Sequence, residues 1–211
     1  MTNGNGGGNI QLVGRNVDIL NGSTVLANSF GFIDGQGVEI EASEDVLIAG
    51  VLLAPDGQTP IFPSSVLSEV GLDQDSSAGP ITIQAERLEI SDGAQVSTST
   101  FGFGRGGDIT LDVGQLKIIG GTEALGASGL YLDVADEFTE GDGGQLQVEA
   151  NQIFLSEGGL ISASTFGPGN SGQIDIKSNQ LDIVSGAPGV GASAILAQSE
   201  DEGISLSLIH I

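Results

Sequence analysis

Residues 96–111 read VSTSTFGFGRGGDITL, and the same pattern occurs as VLANSFGFIDGQGVEI in residues 25–40 and as LISASTFGPGNSGQIDI in residues 160–176. In each copy a short run of apolar and small polar residues leads into a phenylalanine turn, a glycine-rich connection and an alternating strand pattern. The equivalent phenylalanines are Phe30, Phe101 and Phe166. Repetition at a nearly fixed interval is typical of solenoid proteins, whose repeats stack on one another.

Each repeat holds further segments in which apolar and polar residues alternate. One pair lies before the phenylalanine turn, as in residues 81–83 and 88–90, and another follows it, as in residues 109–111 and 116–118. This alternation is typical of strands with one face in a core and the other in water. Each repeat therefore consists of two coils. We predict a weaker third strand in every coil, around Val25, Val66, Val96, Leu130, Ile161 and Ile195.

Short strands joined by turns, with no helical periodicity, predict an all-β fold. We expect a right-handed parallel β-helix of about six coils in three two-coil repeats. The 35 glycines among 211 residues suit a chain that turns often, because glycine adopts positive φ without steric cost. A sandwich, barrel or propeller explains the repeated coil less well. The residues predicted to point inward include Ile83, Ile90, Leu111, Ile118, Val148 and Ile176.

The last residues of the chain differ from the rest. We expect residues 1–205 to form a single β-helical repeat domain that is a fragment of a longer chain. Residues 206–211 read LSLIHI and do not fit the repeat. They match the translation of a common sequencing-library adaptor, so our hypothesis is that they are a non-native tail. This tail contains the only histidine of the chain, His210.

The charge balance excludes whole classes of partner. Five basic residues against 28 acidic ones give a formal net charge of −23, which repels phosphate backbones and anionic head groups. Nucleic acid is therefore not a partner. The absence of cysteine removes disulfides, thiolate metal sites and thiol nucleophiles. We predict no cofactor apart from a possible role for Ca²⁺.

Longer loops follow the second coil of each repeat and become acidic after the third strand. Carboxylate oxygens are ligands that Ca²⁺ prefers, so weak Ca²⁺ binding is one interpretation of these loops. A solvated acidic surface explains them better, because the carboxylates lack a regular ligand spacing. The Ca²⁺ candidates are Asp133, Asp136, Glu137, Asp142, Glu200, Asp201 and Glu202.

Parallel β-helices also include enzymes that cleave polysaccharides, so this alternative stays open. A hydrolase would need two or three carboxylates that converge on one exposed groove, and a lyase would need a base beside a Ca²⁺-bound uronate. The repeated phenylalanines could bind sugar, but turn packing explains them better. We predict no catalytic residues and no enzyme, with a carbohydrate-active lyase or hydrolase as the alternative. The five basic residues lie on different coils, outside any local acid–base cluster: Arg15, Arg87, Arg105, Lys117 and Lys177.

The pattern GGxIxIxAxxLxI followed by GAxIxxSTFGxGxGGxIxI, as in residues 79–111 and 143–176, resembles the repeats of large cyanobacterial exoproteins related to filamentous haemagglutinin. The resemblance covers nearly the whole chain. It implies two-partner secretion through an outer-membrane export partner, and a β-helical stalk that serves in adhesion at the cell surface. It also implies a secreted, surface-associated protein whose partners are cell-surface glycans or proteins, or like chains. The repeat motif carries no binding residue that can be transferred to this sequence.

Overall fold

The computed structural model describes residues 8–72, 75–135, 138–184 and 191–199, together with the backbone of Leu206–His210. Every regular element in these ranges is a β-strand. The prediction of an all-β fold is therefore confirmed for the described residues. They include no helix that is long and apolar enough to cross a membrane.

Two parallel sheets account for most of the strands, and the chain alternates between them. The long sheet contains, in spatial order, β1 (Ile10–Leu20), β3 (Val38–Ala49), β7 (Ile81–Ser91), β9 (Ile109–Ile119), β13 (Gln145–Ser156), β15 (Gln173–Ile183) and β17 (Leu206–His210). The short sheet contains β2 (Thr24–Leu26), β6 (Ser65–Leu67), β8 (Gln95–Ser97), β12 (Gly129–Tyr131), β14 (Leu160–Ser162) and β16 (Ala194–Leu196). The third strand predicted for each coil is thus confirmed as the short sheet.

Beyond the short sheet, single parallel bridges continue the stacking. They join, one after the other, Ser29, Val70, Thr100, Val134, Thr165 and Ser199. We call one passage through a long strand, the next short strand and the following bridge a coil. Coils 1 to 6 begin with β1, β3, β7, β9, β13 and β15, and the stacked arrangement resembles that of a β-helix-like solenoid.

The two alternating segments predicted at the start of each coil are not separate strands. Residues 81–83 and 88–90 both belong to β7, and the pairing with β9 continues between them, where Ala85 pairs with Val113. The prediction of two strands is wrong here because backbone hydrogen bonds continue across the polar residues that interrupt the side-chain pattern. A coil therefore has one long strand, one short strand and one bridge.

The core consists of aliphatic side chains stacked from coil to coil. The predicted inward residues Ile83, Ile90, Leu111, Ile118, Val148 and Ile176 are all buried. They lie opposite one another in the parallel register, as Ile83 does with Leu111 and Leu111 with Val148. The core is therefore continuous along the stack. Burial of each such side chain stabilises the fold by about 1.5–3 kcal/mol.

Odd-numbered coils leave the long strand by a tight turn. The central residues are Asn21-Gly22, Asp92-Gly93 and Glu157-Gly158, all with positive φ, as a type I′ turn requires. Coils 2 and 4 instead reach a positive-φ glycine, Gly50 or Gly120, and then form a hairpin. The antiparallel hairpins are β4 (Val51–Leu53) with β5 (Pro60–Pro63), and β10 (Gly121–Thr122) with β11 (Gly126–Ala127). Residues 185–190, where coil 6 has its longer loop, lie outside the described residues.

The segment interpreted as a tail forms strand β17, which pairs in parallel with β15. Its backbone thus continues the long sheet, although its sequence does not follow the repeat. The register places Ser207 opposite Ile174 and Leu208 opposite Asp175, but Ile209 opposite Ile176, so the segment follows the apolar and polar positions of β15 only in part. The non-native origin of residues 206–211 stays a prediction.

Candidate functional site

Two of the predicted Ca²⁺ candidates lie in the described residues, and each has its own hydrogen-bond partners. Asp133 Oδ1 accepts from Ser162 Oγ at 2.6 Å and from the backbone N–H of Ser164 at 2.8 Å. Asp142 Oδ1 accepts from the backbone N–H and the side-chain amide of Asn170, at 2.8 and 2.9 Å. Within the described ranges no three His, Asp or Glu side chains are grouped so that they could hold a metal ion.

The remaining Ca²⁺ candidates lie outside the described residues. They are Asp136, Glu137, Glu200, Asp201 and Glu202. For these positions weak Ca²⁺ binding stays a prediction.

A different site lies on the outer side of the short sheet, where Glu69, Tyr131 and Asp133 are half-buried and the serines beside them, Ser97, Ser99, Ser162 and Ser164, are buried. The inward positions of coil 3, Val96, Thr98 and Thr100, are fully buried. We call the outward positions the short-sheet face. It has three rows that run along the stack, each contributed by successive coils, and the first row contains Leu26, Leu67, Ser97, Tyr131, Ser162 and Leu196.

The second row immediately precedes the bridges, and we call it the carboxyl–serine row. It contains Asn28, Glu69, Ser99, Asp133, Ser164 and Gln198. The third row immediately follows the bridges, and we call it the aromatic ladder. It contains Phe30, Gly71, Phe101, Ala135 and Phe166.

Hydrogen bonds connect the carboxylates of the even coils to serines of the odd coils. Glu69 accepts from Ser97 Oγ at 2.6 Å, and the same hydroxyl lies 3.1 Å from Ser99 Oγ. Asp133 repeats this arrangement two coils further on, where Ser162 Oγ is its donor. Each carboxylate is therefore held at a defined place on the face.

Partial burial changes the ionisation of this region. Desolvation raises the pKa of Glu69, although the hydrogen bonds from Ser97 and Asn28 oppose the shift. Desolvation also raises the pKa of Asp133, against the hydrogen bonds from Ser162 and Ser164. The pKa of Tyr131 rises to about 12, mainly because the phenol is desolvated and secondarily because Asp133 is close. The Tyr131 hydroxyl donates to the carbonyl of Ala127 at 2.8 Å.

The aromatic ladder alternates large and small residues. Backbone hydrogen bonds of 3.0–3.1 Å connect it to the preceding bridges, including those from the N–H of Gly71 to Ser29 and from that of Phe101 to Val70. A Cβ added to Gly71 would lie 2.6 Å from Cδ1 of Phe30, so this ring occupies the space over the small residue of the next coil. The exposed fractions of Phe30, Phe101 and Phe166 are 71%, 37% and 41%. The Phe30 ring therefore packs on the next coil, and all three rings present surface to water.

Four of the five basic residues form ion pairs with acidic residues. Three ion pairs join neighbouring coils and a fourth lies within one turn: Arg15 with Glu44, Arg87 with Asp45, Lys177 with Glu149, and Arg105 with Asp108. The three pairs between coils could not be predicted from the sequence, because the parallel register brings together residues that are 28, 29 or 42 positions apart in the chain. All four pairs are exposed, so each contributes little to stability.

The sequence analysis singled out the phenylalanines and Asp133 but missed Glu69 and the serines around it. Alignment of the bridge residues Ser29, Val70 and Thr100 would have placed Asn28, Glu69 and Ser99 in one row. No motif marks these positions, because the row consists of residues from six coils.

Comparison with known proteins adds no relative to this geometry. The chain matches no family model, no curated protein and no solved structure.

Proposed function

We propose that this chain is a segment of a closed, right-handed parallel β-helix that serves as the stalk and adhesive surface of a secreted exoprotein. In this proposal the exoprotein is of the filamentous-haemagglutinin-like kind. It is exported by two-partner secretion through an outer-membrane partner and stays associated with the cell surface. The segment itself performs no chemistry.

The uninterrupted stacking of the coils carries this proposal. The long sheet runs from β1 to β15 with parallel neighbours throughout, and the bridges follow the same order. A solenoid built in this way transmits load along its stack and repeats its outer surface at each coil. These are the properties that a stalk and an extended adhesive surface need.

The sequence composition supports the surface location. A chain without cysteine cannot form disulfides before or during export. The net charge of −23 keeps copies of the chain soluble and apart. The resemblance to haemagglutinin-like repeats points to the same location.

The test of this proposal is the location and adhesion of the native exoprotein. Antibodies raised against this segment should label intact producing cells, and mild proteolysis of those cells should remove the label. Beads coated with the segment should adhere to a cell or matrix surface, and soluble segment should compete with them. Labelling that requires permeabilised cells would contradict the proposal, and antibodies against a cytosolic protein provide the control.

One observation favours the alternative of a polysaccharide-cleaving enzyme. Glu69 and Asp133 lie in the same row two coils apart, which corresponds to about 9.6 Å along the stack. This spacing is near the upper end of the roughly 6.5–9.5 Å between the two carboxyl groups of inverting glycosidases. The raised pKa of each carboxyl also resembles that of a general acid.

The alternative predicts a measurable reaction. The segment would release reducing sugar ends from a neutral polysaccharide, and the single substitutions Glu69→Gln and Asp133→Asn would each abolish that release. We expect no release from the unaltered segment. Reproducible release that depends on both carboxylates would replace the stalk proposal by the enzyme.

A further inference from the structure

We propose that the short-sheet face binds a neutral, extended β-linked polysaccharide that lies along the stack. The aromatic ladder provides the stacking surface, and the half-buried carboxylates of the carboxyl–serine row, Glu69 and Asp133, provide the hydrogen-bonding groups. This inference rests on the adhesive role proposed above and names the class of ligand for it.

The exposed rings are the first support. The large aliphatic residues in the long strands of coil 3, such as Ile83 and Ile90, are fully buried. Phe101 of the same coil keeps 37% of its surface in water, and Phe166 keeps 41% at the equivalent position of coil 5. Exposed apolar surface in a regular array marks an interaction site more often than isolated apolar residues do.

The spacing of the rings determines the kind of ligand. Phenylalanine recurs at every second coil because Gly71 and Ala135 separate the rings, so neighbouring rings are about 9.6 Å apart along the stack. In an extended β-1,4-linked glycan alternate sugar rings are turned over, so its repeating unit is two sugars, and two sugars span a comparable length. Such a chain could place an equivalent sugar face on each phenylalanine.

The neighbouring row supplies groups that suit the hydroxyl edge of a sugar. Asp133 lies two residues before Ala135 of the ladder, which in an extended strand is about 7 Å. Both of the hydrogen bonds that hold Asp133 go to Oδ1, so Oδ2 can accept one from a ligand. Glu69 provides the same chemistry two coils away, where the buried Ser97 hydroxyl donates to Oε1 and holds the carboxylate in place.

Charge selects among the glycans. The chain carries a formal net charge of −23, and two carboxylates stand on the proposed face. Uronate-containing and sulfated polysaccharides would therefore be repelled. Single-stranded nucleic acid also stacks on aromatic rings, but it requires a positively charged groove. A neutral glycan is the ligand that meets both the aromatic spacing and the charge.

The test is a calorimetric titration of the intact chain with defined oligosaccharides. We expect binding of the β-1,4-linked glucose hexamer or the β-1,4-linked N-acetylglucosamine hexamer. We expect none of the α-1,4-linked glucose hexamer, whose chain curls, and none of polygalacturonate, which is anionic. Failure of both β-linked hexamers to bind, or equal binding of the α-linked one, would overturn the proposal, as would binding of a proline-rich peptide instead.

Single substitutions locate the site. Phe101→Ala and Phe166→Ala should each weaken binding about tenfold, since each removes one aromatic platform. Asp133→Asn should weaken binding through loss of a charged acceptor. The matched control is Phe62→Ala, because Phe62 is 59% exposed but belongs to the hairpin β4–β5, away from the face.

Circular dichroism of every variant should match that of the unaltered chain, so that lost binding is not lost folding. Full binding by Phe101→Ala and Phe166→Ala, or loss of binding in Phe62→Ala, would show that the face is not the site. Cell-surface labelling tests the stalk proposal without any glycan. A chain that labels intact cells but binds neither hexamer would therefore overturn this inference alone.

Discussion

Odd and even coils of this protein connect the long strand to the short strand in two different ways. An odd coil leaves its long strand through a two-residue turn, as at Asp92-Gly93, and carries a phenylalanine after its bridge. Coils 2 and 4 each insert a hairpin after a positive-φ glycine and carry Gly71 or Ala135 at the equivalent place of the ladder. The two kinds of coil complement each other, which explains why the sequence repeats after two coils rather than one.

Serines of the even coils connect the two kinds of turn. Ser64 Oγ accepts from the N–H of Gly22, and Ser128 Oγ accepts from the N–H of Gly93, at 2.9 and 2.8 Å. Ser193 Oγ repeats the contact with Gly158 at 3.1 Å. In each case a serine of the even coil accepts a hydrogen bond from the glycine N–H in the turn of the preceding odd coil. The turn of one coil thus depends on the insertion of the next.

The largest expected effect lies in the core, where odd and even coils should not differ. Leu111→Asp in coil 4 and Ile83→Asp in coil 3 each bury a charge without a partner, and each should destabilise the fold by at least about 4 kcal/mol. Thermal unfolding followed by circular dichroism measures this. Thr110→Asp, on the outward side of the same strand, is the control. A wild-type melting temperature for Leu111→Asp would contradict the inward assignment.

The next effect concerns the contact between an even coil and an odd turn. Ser128→Ala removes the acceptor of the buried Gly93 N–H, so the free energy of unfolding should fall by about 1–3 kcal/mol. Urea unfolding gives the change. Ser43→Ala, at an exposed position of β3, should leave it within about 0.5 kcal/mol. Equal stability of the two variants would mean that the turns do not depend on the insertions.

The pH dependence should also separate the two kinds of coil, because the two carboxyls with a raised pKa among the described residues, Glu69 and Asp133, belong to even coils. The pKa values of Glu69 and Asp133 are higher in the folded chain than their ordinary values of 4.5 and 3.8, because both groups are desolvated. The folded state therefore binds protons more readily. The resulting stabilisation is complete below the ordinary values and is lost as the pH rises through the raised ones.

The melting temperature should therefore increase on acidification from neutral pH towards about pH 4.5, and less so in Asp133→Asn. Below that range the hairpin residue Asp56 acts in the opposite direction. Its pKa is lowered from 3.8 to about 2, chiefly by the hydrogen bond from the Thr59 side chain, so its contribution is lost between these values. If the melting temperature of Asp133→Asn depended on pH in the same way as that of the unaltered chain, burial of this carboxyl would not be the cause of the increase. Relief of general charge repulsion, which affects both chains, would then explain it.

The smallest expected effect is a stabilisation within an odd turn. Glu157 has φ of +52°, a conformation that Asn21 and Asp92 adopt at the equivalent positions with less strain. Glu157→Asn should therefore raise the free energy of unfolding by about 0.5 kcal/mol. The converse change Asn21→Glu should lower it. A loss of stability in Glu157→Asn, or a gain in Asn21→Glu, would contradict the equivalence of these turns.

Much of the fold follows from local chemistry that a sequence displays. Alternating residues such as Ile81-Thr82-Ile83 specify strands with one buried face, and Asp92-Gly93 specifies a tight turn, because both depend only on neighbours in the chain. The repeat of the phenylalanine turn then specifies stacking. The continuity of the long strands could not be predicted in this way, since the alternation stops at Glu86 and Arg87 while the backbone pairing continues, with Arg87 opposite Gln115.

The candidate site, in contrast, depends on contacts between residues that are far apart in the chain. The sequence by itself determined an acidic, all-β, repeated chain with phenylalanines at fixed places. Only the parallel register brought Glu69 beside Ser97, placed Phe30 over Gly71 and paired Arg87 with Asp45. These contacts join residues that are dozens of positions apart, so each depends on the lengths of the turns that separate its two partners. Register is set by the packing of whole coils, which no single stretch of sequence contains.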